Sequence, residues 1–121
     1  MNLDNILNNP KLLSEFILFN EMEHSTENIK FIIYVREFKN IKNKRMKQLK
    51  YDQIIEKFIN HGSEMEINTT NENKNIILNN LDKLNSDIFD VLYNKVKLYL
   101  HSRIHHFMQK HNMNKQINSI K

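Results

Sequence analysis

The stretch EHSTENIKFIIYVREFK, from Glu23 to Lys39, decides the fold class, because its apolar residues recur at helical spacing. Ser25 can cap such a helix, and Glu27 falls in its first turn, where a carboxylate is favourable. We expect the helix to run to about Ile41. A cap requires Ser25 alone, so the polar pair Glu27-Asn28 at the start of this helix needs another explanation. The apolar positions are Ile29, Phe31, Ile32, Ile33, Val35 and Phe38.

Helical spacing also dominates the rest of the chain. One Gly and one Pro among 121 residues supply little turn chemistry for a β-rich fold, and no stretch alternates with period two. The sequence therefore predicts an all-α protein. The sequence predicts five further helices. The first two are a short helix over Leu3–Leu7 and a helix that Asn9 caps, with Pro10 in its first position. The others are a helix from Tyr51 to about Ile59 that stops near a left-handed Gly62, a helix marked by Ile76 to Leu81, and a long helix that Ser86 caps.

Length and composition predict one domain over residues 1–121, with a core over about 3–111 and a polar tail, 112–121, that frays. The chain has no cysteine, which excludes disulfides and thiolate chemistry. No apolar run approaches the roughly 20 residues that a membrane-spanning helix needs, and the N-terminus does not resemble a secretory signal. We therefore expect a cytoplasmic protein.

Few residues suggest catalysis. His101 and His105 have the i, i+4 spacing that can place two imidazoles on one metal ion, with His106 and His111 nearby. No carboxylate falls between Asp90 and the C-terminus, so an exposed polar face is the favoured interpretation and no metal is expected. The sequence has no serine elbow framed by glycines and no glycine-rich phosphate loop. We expect neither a self-contained enzyme nor a cofactor.

The run KNIKNKRMKQLK, residues 39–50, carries six cations and no acid. A solvated segment between helices is the favoured interpretation. The alternative is weak contact with an anionic membrane surface. Such contact could recruit the protein to the inner face of the plasma membrane. Nucleic acid is not expected, because the net charge is only +4 and no aromatic residue interrupts the run. The six cations are Lys39, Lys42, Lys44, Arg45, Lys47 and Lys50.

Four groups of motifs, in order, resemble the regulator of G-protein signalling (RGS) domain family, whose members accelerate GTP hydrolysis by heterotrimeric Gα subunits. LLSEFILFNEMEHSTENIKF (12–31) is similar to the family's opening helix followed by Ser-x-Glu-Asn-Ile-x-Phe, and EFK (37–39) closes the next helix. YDQIIEKFINHGSEMEIN (51–68) resembles Ile-Tyr-x-x-Phe-Ile…Glu-Val-Asn. IFDVLYNKVKLYL (88–100) and HHFM (105–108) resemble Phe-Asp-x-Ala-Gln-x-x-Val-Tyr and Arg-Phe-Leu. The resemblance extends from Leu3 to about His111.

This resemblance implies an RGS-like fold of about nine helices, an antiparallel four-helix bundle plus a terminal lobe formed by both chain ends. It also implies a role for the polar pair, since the family's Glu-Asn contacts the switch regions of Gα. Asn68 matches the residue that enters the Gα active site beside the glutamine that orients the attacking water. The implied Gα-binding residues are His24, Ser25, Glu27, Asn28, Glu66, Asn68, Tyr99, Ser102 and His106.

The sequence departs from the family at its C-terminal contact region. There the family has Asp-Ser-Tyr-x-Arg-Phe-Leu, whereas this chain has HSRIHHFM (101–108). The Arg position becomes His106, and the Asp position falls on His101 or Ser102, so the carboxylate is missing. Ile32 replaces a tryptophan that is common in the family. Two functions stay open, a GTPase-activating domain for Gα and a scaffold of the same fold that binds a signalling partner without acceleration.

Overall fold

The computed structural model describes residues 1–120, and the side chains of residues 1–112 among them. Over residues 1–120 the chain forms six α-helices and one π-helical segment and no strand, which confirms the all-α class. The predicted count of nine helices is not confirmed. The elements are α1 (Leu3–Leu7), α2 (Pro10–Met22), α3 (Thr26–Asn40), α4 (Lys44–Ile54) continued by the π-helical segment Ile55–Ile59, α5 (Asn71–Leu78) and α6 (Asp90–Ile120).

The first helices begin where the sequence predicts. The Asn9 side chain accepts hydrogen bonds from the amides of Lys11 (3.1 Å) and Leu12 (3.2 Å), and Pro10 occupies the first helical position of α2. Gly62 has the expected positive φ, +82°. These elements confirm the predicted starts of α1 and α2 and the left-handed turn after the π-helical segment.

α4 differs from the prediction, because it begins at Lys44 instead of near Tyr51. Asn43 caps it by accepting from the amide of Met46 at 3.0 Å. Most of the basic run is therefore helix, and the interpretation as a solvated segment between helices is wrong for residues 44–50. The last turn then passes into a π-helical segment, Ile55–Ile59, that the sequence pattern did not indicate.

Two later helix boundaries also differ. α5 ends at Leu78, and Leu81, which was expected within this helix, is fully exposed. α6 begins at Asp90, so Ser86 does not cap it; the Ser86 hydroxyl instead accepts from Lys47 Nζ at 2.5 Å. The polar tail expected to fray, 112–121, continues α6 to Ile120 in its backbone, while its side chains beyond residue 112 and the whole of Lys121 lie outside the described residues.

α3 lies at the centre of the packing, since it contacts α2, α4 and α6. Five of its side chains are buried, and its Phe31 and Phe38 rings lie 6.3 and 5.2 Å from the Phe89 ring just before α6. Each such aromatic ring contributes on the order of 1.5–3 kcal/mol by leaving water. α1 contacts both α2 and α6, so the first helix packs against the last one. The start of α3 lies beside the first three turns of α6, at residues 92–99.

Among the described helices, none combines the length and the apolar character needed to cross a bilayer.

Candidate functional site

A surface cavity of about 250 Å³ brings together side chains from three separate parts of the chain. We call it the α3–α6 cavity. Glu27 and Asn28 come from the first turn of α3, and Asn68 comes from the connection between the π-helical segment and α5. Tyr99 comes from α6. The cavity is lined by Glu27, Asn28, Ile67, Asn68, Leu92, Lys95, Val96 and Tyr99. Four of the nine predicted contact residues therefore share one depression.

Asn68 reaches the surface because its neighbour Ile67 is buried. The Ile67 side chain is 2% exposed, and its amide donates to the Phe58 carbonyl at 2.8 Å. A second bond, from the amide of Met65 to the Lys57 carbonyl at 3.2 Å, ties the same connection to the π-helical segment. The connection is thus attached to the core on both sides of Glu66, while Asn68 itself is exposed.

Glu66 lies on this connection but does not line the α3–α6 cavity. Its carboxylate pairs with Lys74, accepts from the Gly62 amide at 3.0 Å and lies 3.6 Å from His61 Nδ1. The hydrogen bond from Lys74, and then that from the Gly62 amide, hold the pKa of the Glu66 carboxyl below its usual value. These contacts occupy the carboxylate in closing its own loop.

The turn before α3 differs from the sequence prediction at Ser25. Ser25 occupies the cap position, but its side chain makes no cap hydrogen bond. It is 5% exposed, and its hydroxyl donates instead to Asn20 Oδ1 at 3.1 Å. His24 is exposed with φ +57°, an uncommon conformation for a residue other than glycine. Ser25 therefore offers no side chain to a partner in this conformation, whereas His24 does.

The predicted residues on α6 are spaced along one face of the helix. Tyr99 lines the α3–α6 cavity and is 43% exposed. Ser102 and His106 follow at i+3 and i+7, so they extend the same face, and both are exposed. They do not line the cavity, and the Ser102 hydroxyl donates to the Tyr99 carbonyl at 2.6 Å within its own helix.

Lys95 is a cavity residue that the sequence analysis did not select. Its Nζ donates to the Thr69 hydroxyl at 3.3 Å, which joins α6 to the connection that carries Asn68. Lys95 precedes Tyr99 by four residues, so helical spacing alone placed the two side chains on one face. That spacing could have identified Lys95 as a site residue from the sequence.

The histidines of α6 do not gather around a common point. Among the residues with described side chains, no group of three or more His, Asp or Glu residues is arranged to hold a metal ion. His105 is exposed and contacts Gln109 at 3.3 Å. His111 lies 3.2 Å from a Glu15 carboxylate oxygen on α2. The His101/His105 hypothesis thus finds no third ligand in this part of the chain.

Three of the six cations in the basic run make contacts within the protein. Lys39 Nζ lies 2.7 Å from an Asp90 carboxylate oxygen, and Lys50 pairs with Glu37. Lys47 is buried, with its Nζ 4.8 Å from the centre of the Phe38 ring. The other three, Lys42, Lys44 and Arg45, are exposed.

The comparisons with known proteins identify the family. The Regulator of G protein signaling domain family model matches residues 2–117. The human protein Regulator of G-protein signaling 18 is 32% identical over 93 residues, which cover 77% of this chain and 40% of that protein. The pig protein Regulator of G-protein signaling 5 is 31% identical over 94 residues, 78% of this chain and 52% of that protein. The chain spans about half the length of these relatives or less. It belongs to the regulator of G protein signaling domain family.

Proposed function

We propose that this domain binds the switch regions of a heterotrimeric Gα subunit and accelerates its GTP hydrolysis, which terminates signalling. The observation that carries the proposal is the α3–α6 cavity, where Glu27, Asn28, Asn68 and Tyr99 meet although as many as 72 positions separate them along the chain. The family resemblance assigns these positions to Gα contact.

The proposed acceleration needs no catalytic group from this chain. Hydrolysis requires an in-line water and stabilised charge on the γ-phosphoryl group, and Gα already carries an arginine for that charge. A rigid surface that binds the switch regions best in their transition-state arrangement lowers the barrier by differential binding. About 2–3 kcal/mol of such preference corresponds to roughly a 30- to 150-fold rate increase.

Asn68 is suited to the central contact. Its amide can donate and accept at once, so it can hold a partner's glutamine side chain and a neighbouring backbone group together. It is exposed, while buried Ile67 fixes the backbone beside it. Glu27 and Asn28, both half-buried, would receive switch-region groups from the other side of the cavity.

The test is single-turnover GTP hydrolysis by a panel of purified Gα subunits, with and without the domain. We expect at least one Gα to hydrolyse GTP roughly 30-fold faster or more when the domain is saturating. A panel in which every rate is unchanged would contradict acceleration.

A second candidate function, a scaffold that binds a signalling partner without acceleration, is favoured by the α6 face. The family's carboxylate is absent there, the Ser102 hydroxyl is bonded within its own helix, and His106 is exposed and does not line the cavity. Saturable binding of a Gα subunit with an unchanged hydrolysis rate would select this function.

We also propose weak contact with an anionic surface at the inner face of the plasma membrane, narrowed to the exposed cations Lys42, Lys44 and Arg45. About 1 kcal/mol for each cation near such a surface gives weak, salt-dependent attraction. Sedimentation with vesicles containing phosphatidylserine tests it. Equal sedimentation with neutral vesicles would contradict it.

A further inference from the structure

Asn20 is a fully buried polar side chain in the last turn of α2 that the proposed function does not use. Its Nδ2 donates to the Phe16 carbonyl at 2.8 Å, and its Oδ1 accepts from the Ser25 hydroxyl at 3.1 Å. The nitrogen and the oxygen of the amide are thus both paired, as buried polar groups generally are. Asparagine is a poor helix former, and apolar residues usually occupy such buried positions, so packing alone does not explain its presence.

Asn20 and Ser25 are joined twice across the α2–α3 turn. Besides the side-chain bond, the Ser25 amide donates to the Asn20 carbonyl at 2.9 Å. Ser25 is 5% exposed, so both bonds are shielded from water. His24 lies between the two residues and has a φ of +57°. The closed turn has to maintain this uncommon conformation.

The same link continues into α3. The Ser25 carbonyl accepts from the Asn28 amide at 3.4 Å, in the first turn of the helix. Ser25 would ordinarily use its hydroxyl as an acceptor for a first-turn amide, but here the hydroxyl donates back to α2. The start of α3 is therefore fixed by a bond to the preceding helix.

We propose that Asn20 is a positioning residue for the α3–α6 cavity. Through Ser25 it sets where α3 begins, and so it sets the position of Glu27 and Asn28 relative to Asn68. Its effect on Gα rests on the proposed function, whereas its effect on the first turn of α3 belongs to the free domain.

The test compares Ser25→Ala, which removes the hydroxyl and keeps the backbone bond, with Ser25→Thr, which keeps a hydroxyl. The readout is the dissociation constant for Gα bound to GDP and aluminium fluoride. We expect Ser25→Ala to weaken binding about five- to tenfold, the scale of one lost hydrogen bond, and Ser25→Thr to stay within about twofold. The double variant Asn20→Ala/Ser25→Ala should bind no worse than Asn20→Ala alone, because the two side chains form one link.

Ile54→Val is the control, since it loosens the buried core at a residue of α4, outside the α2–α3 turn. Amide hydrogen exchange at Asn28, whose amide donates to the Ser25 carbonyl, provides a readout in the free domain that needs no partner. We expect exchange there to quicken in Ser25→Ala by more than in Ile54→Val.

The outcomes separate the two proposals. If Ser25→Ala matches Ile54→Val in exchange and matches the wild type in binding, the positioning role is overturned. If the wild-type domain shows no preference for the aluminium fluoride complex, acceleration fails, and the exchange comparison still decides the role of Asn20. Should Asn20→Ala not fold, Ser25→Ala carries the test.

Discussion

The two sides of the α3–α6 cavity are built differently. On the side formed by α3 and the connection to α5, the residues that line the cavity follow buried anchors: Ser25 lies two residues before half-buried Glu27, and Ile67 directly precedes exposed Asn68. On the α6 side, Tyr99 lines the cavity, and Ser102 and His106 extend the same exposed face of one continuous helix beyond it. The difference indicates that substitutions at the anchors Ser25 and Ile67 change the geometry of the first side, whereas those on α6 change chemistry alone.

The largest effect is expected at Asn68, on the anchored side. Asn68→Ala should reduce the stimulated single-turnover rate about 30-fold or more, because it removes the amide that would contact the Gα active site. The side chain is exposed, so thermal unfolding should stay nearly unchanged.

Asn75→Ala is its matched control, the same substitution at an exposed position of α5 outside the cavity. Equal stimulated rates for the two variants would remove Asn68 from the mechanism.

The second effect is expected at Glu27. Glu27→Gln should weaken binding to Gα about fivefold to tenfold, because a charge-assisted hydrogen bond becomes a neutral one. Glu72→Gln is the control, since Glu72 also lies in the first turn of a helix. Both variants lose a similar helix-dipole interaction of about 0.3–1 kcal/mol, so their unfolding should shift alike. Similar affinities of the two variants for Gα would argue against a direct contact by Glu27.

A smaller effect, in the opposite direction, is expected on the α6 side. Ser102→Asp restores a carboxylate near the position where the family has one and should strengthen Gα binding by up to about fivefold, the scale of an exposed ion pair. Ser102→Ala should change the affinity less than about twofold, because the hydroxyl is bonded within its own helix. If neither Ser102→Asp nor His101→Asp strengthens binding, the missing acid does not limit affinity.

The smallest effect concerns how the connection to α5 responds to pH. The pKa of the Glu66 carboxyl is lowered on folding from about 4.5, so its contribution to stability is present above that pH and is lost as pH falls through the lowered value. Glu66→Gln should therefore flatten the decline in the free energy of unfolding between about pH 5 and pH 3, measured by chemical denaturation. An unchanged pH profile would mean that Lys74 and Gly62 do not stabilise the charged form.

The sequence predicted the features that depend on local spacing. The Asn9-Pro10 start of α2 and the buried face of α3 follow from neighbouring residues and were confirmed. The meeting of Glu27, Asn28 and Asn68 followed from the family resemblance, and the structure places them at one cavity.

Features that depend on distant partners were not predicted. Ser25 could cap α3 or bond Asn20, and only the burial of that turn selects the second. Glu66 pairs with Lys74 eight residues on, which spacing does not indicate. Lys47 is buried against Phe38 and Ser86, although its surroundings in the sequence are basic and polar.

The measurement that tests acceleration most directly is the affinity of the domain for one Gα subunit in two states, bound to GDP alone and bound to GDP with aluminium fluoride. A surface complementary to the switch regions in mid-reaction should bind the second state at least about 30-fold more tightly. Equal affinities for the two states would contradict acceleration and leave a scaffold.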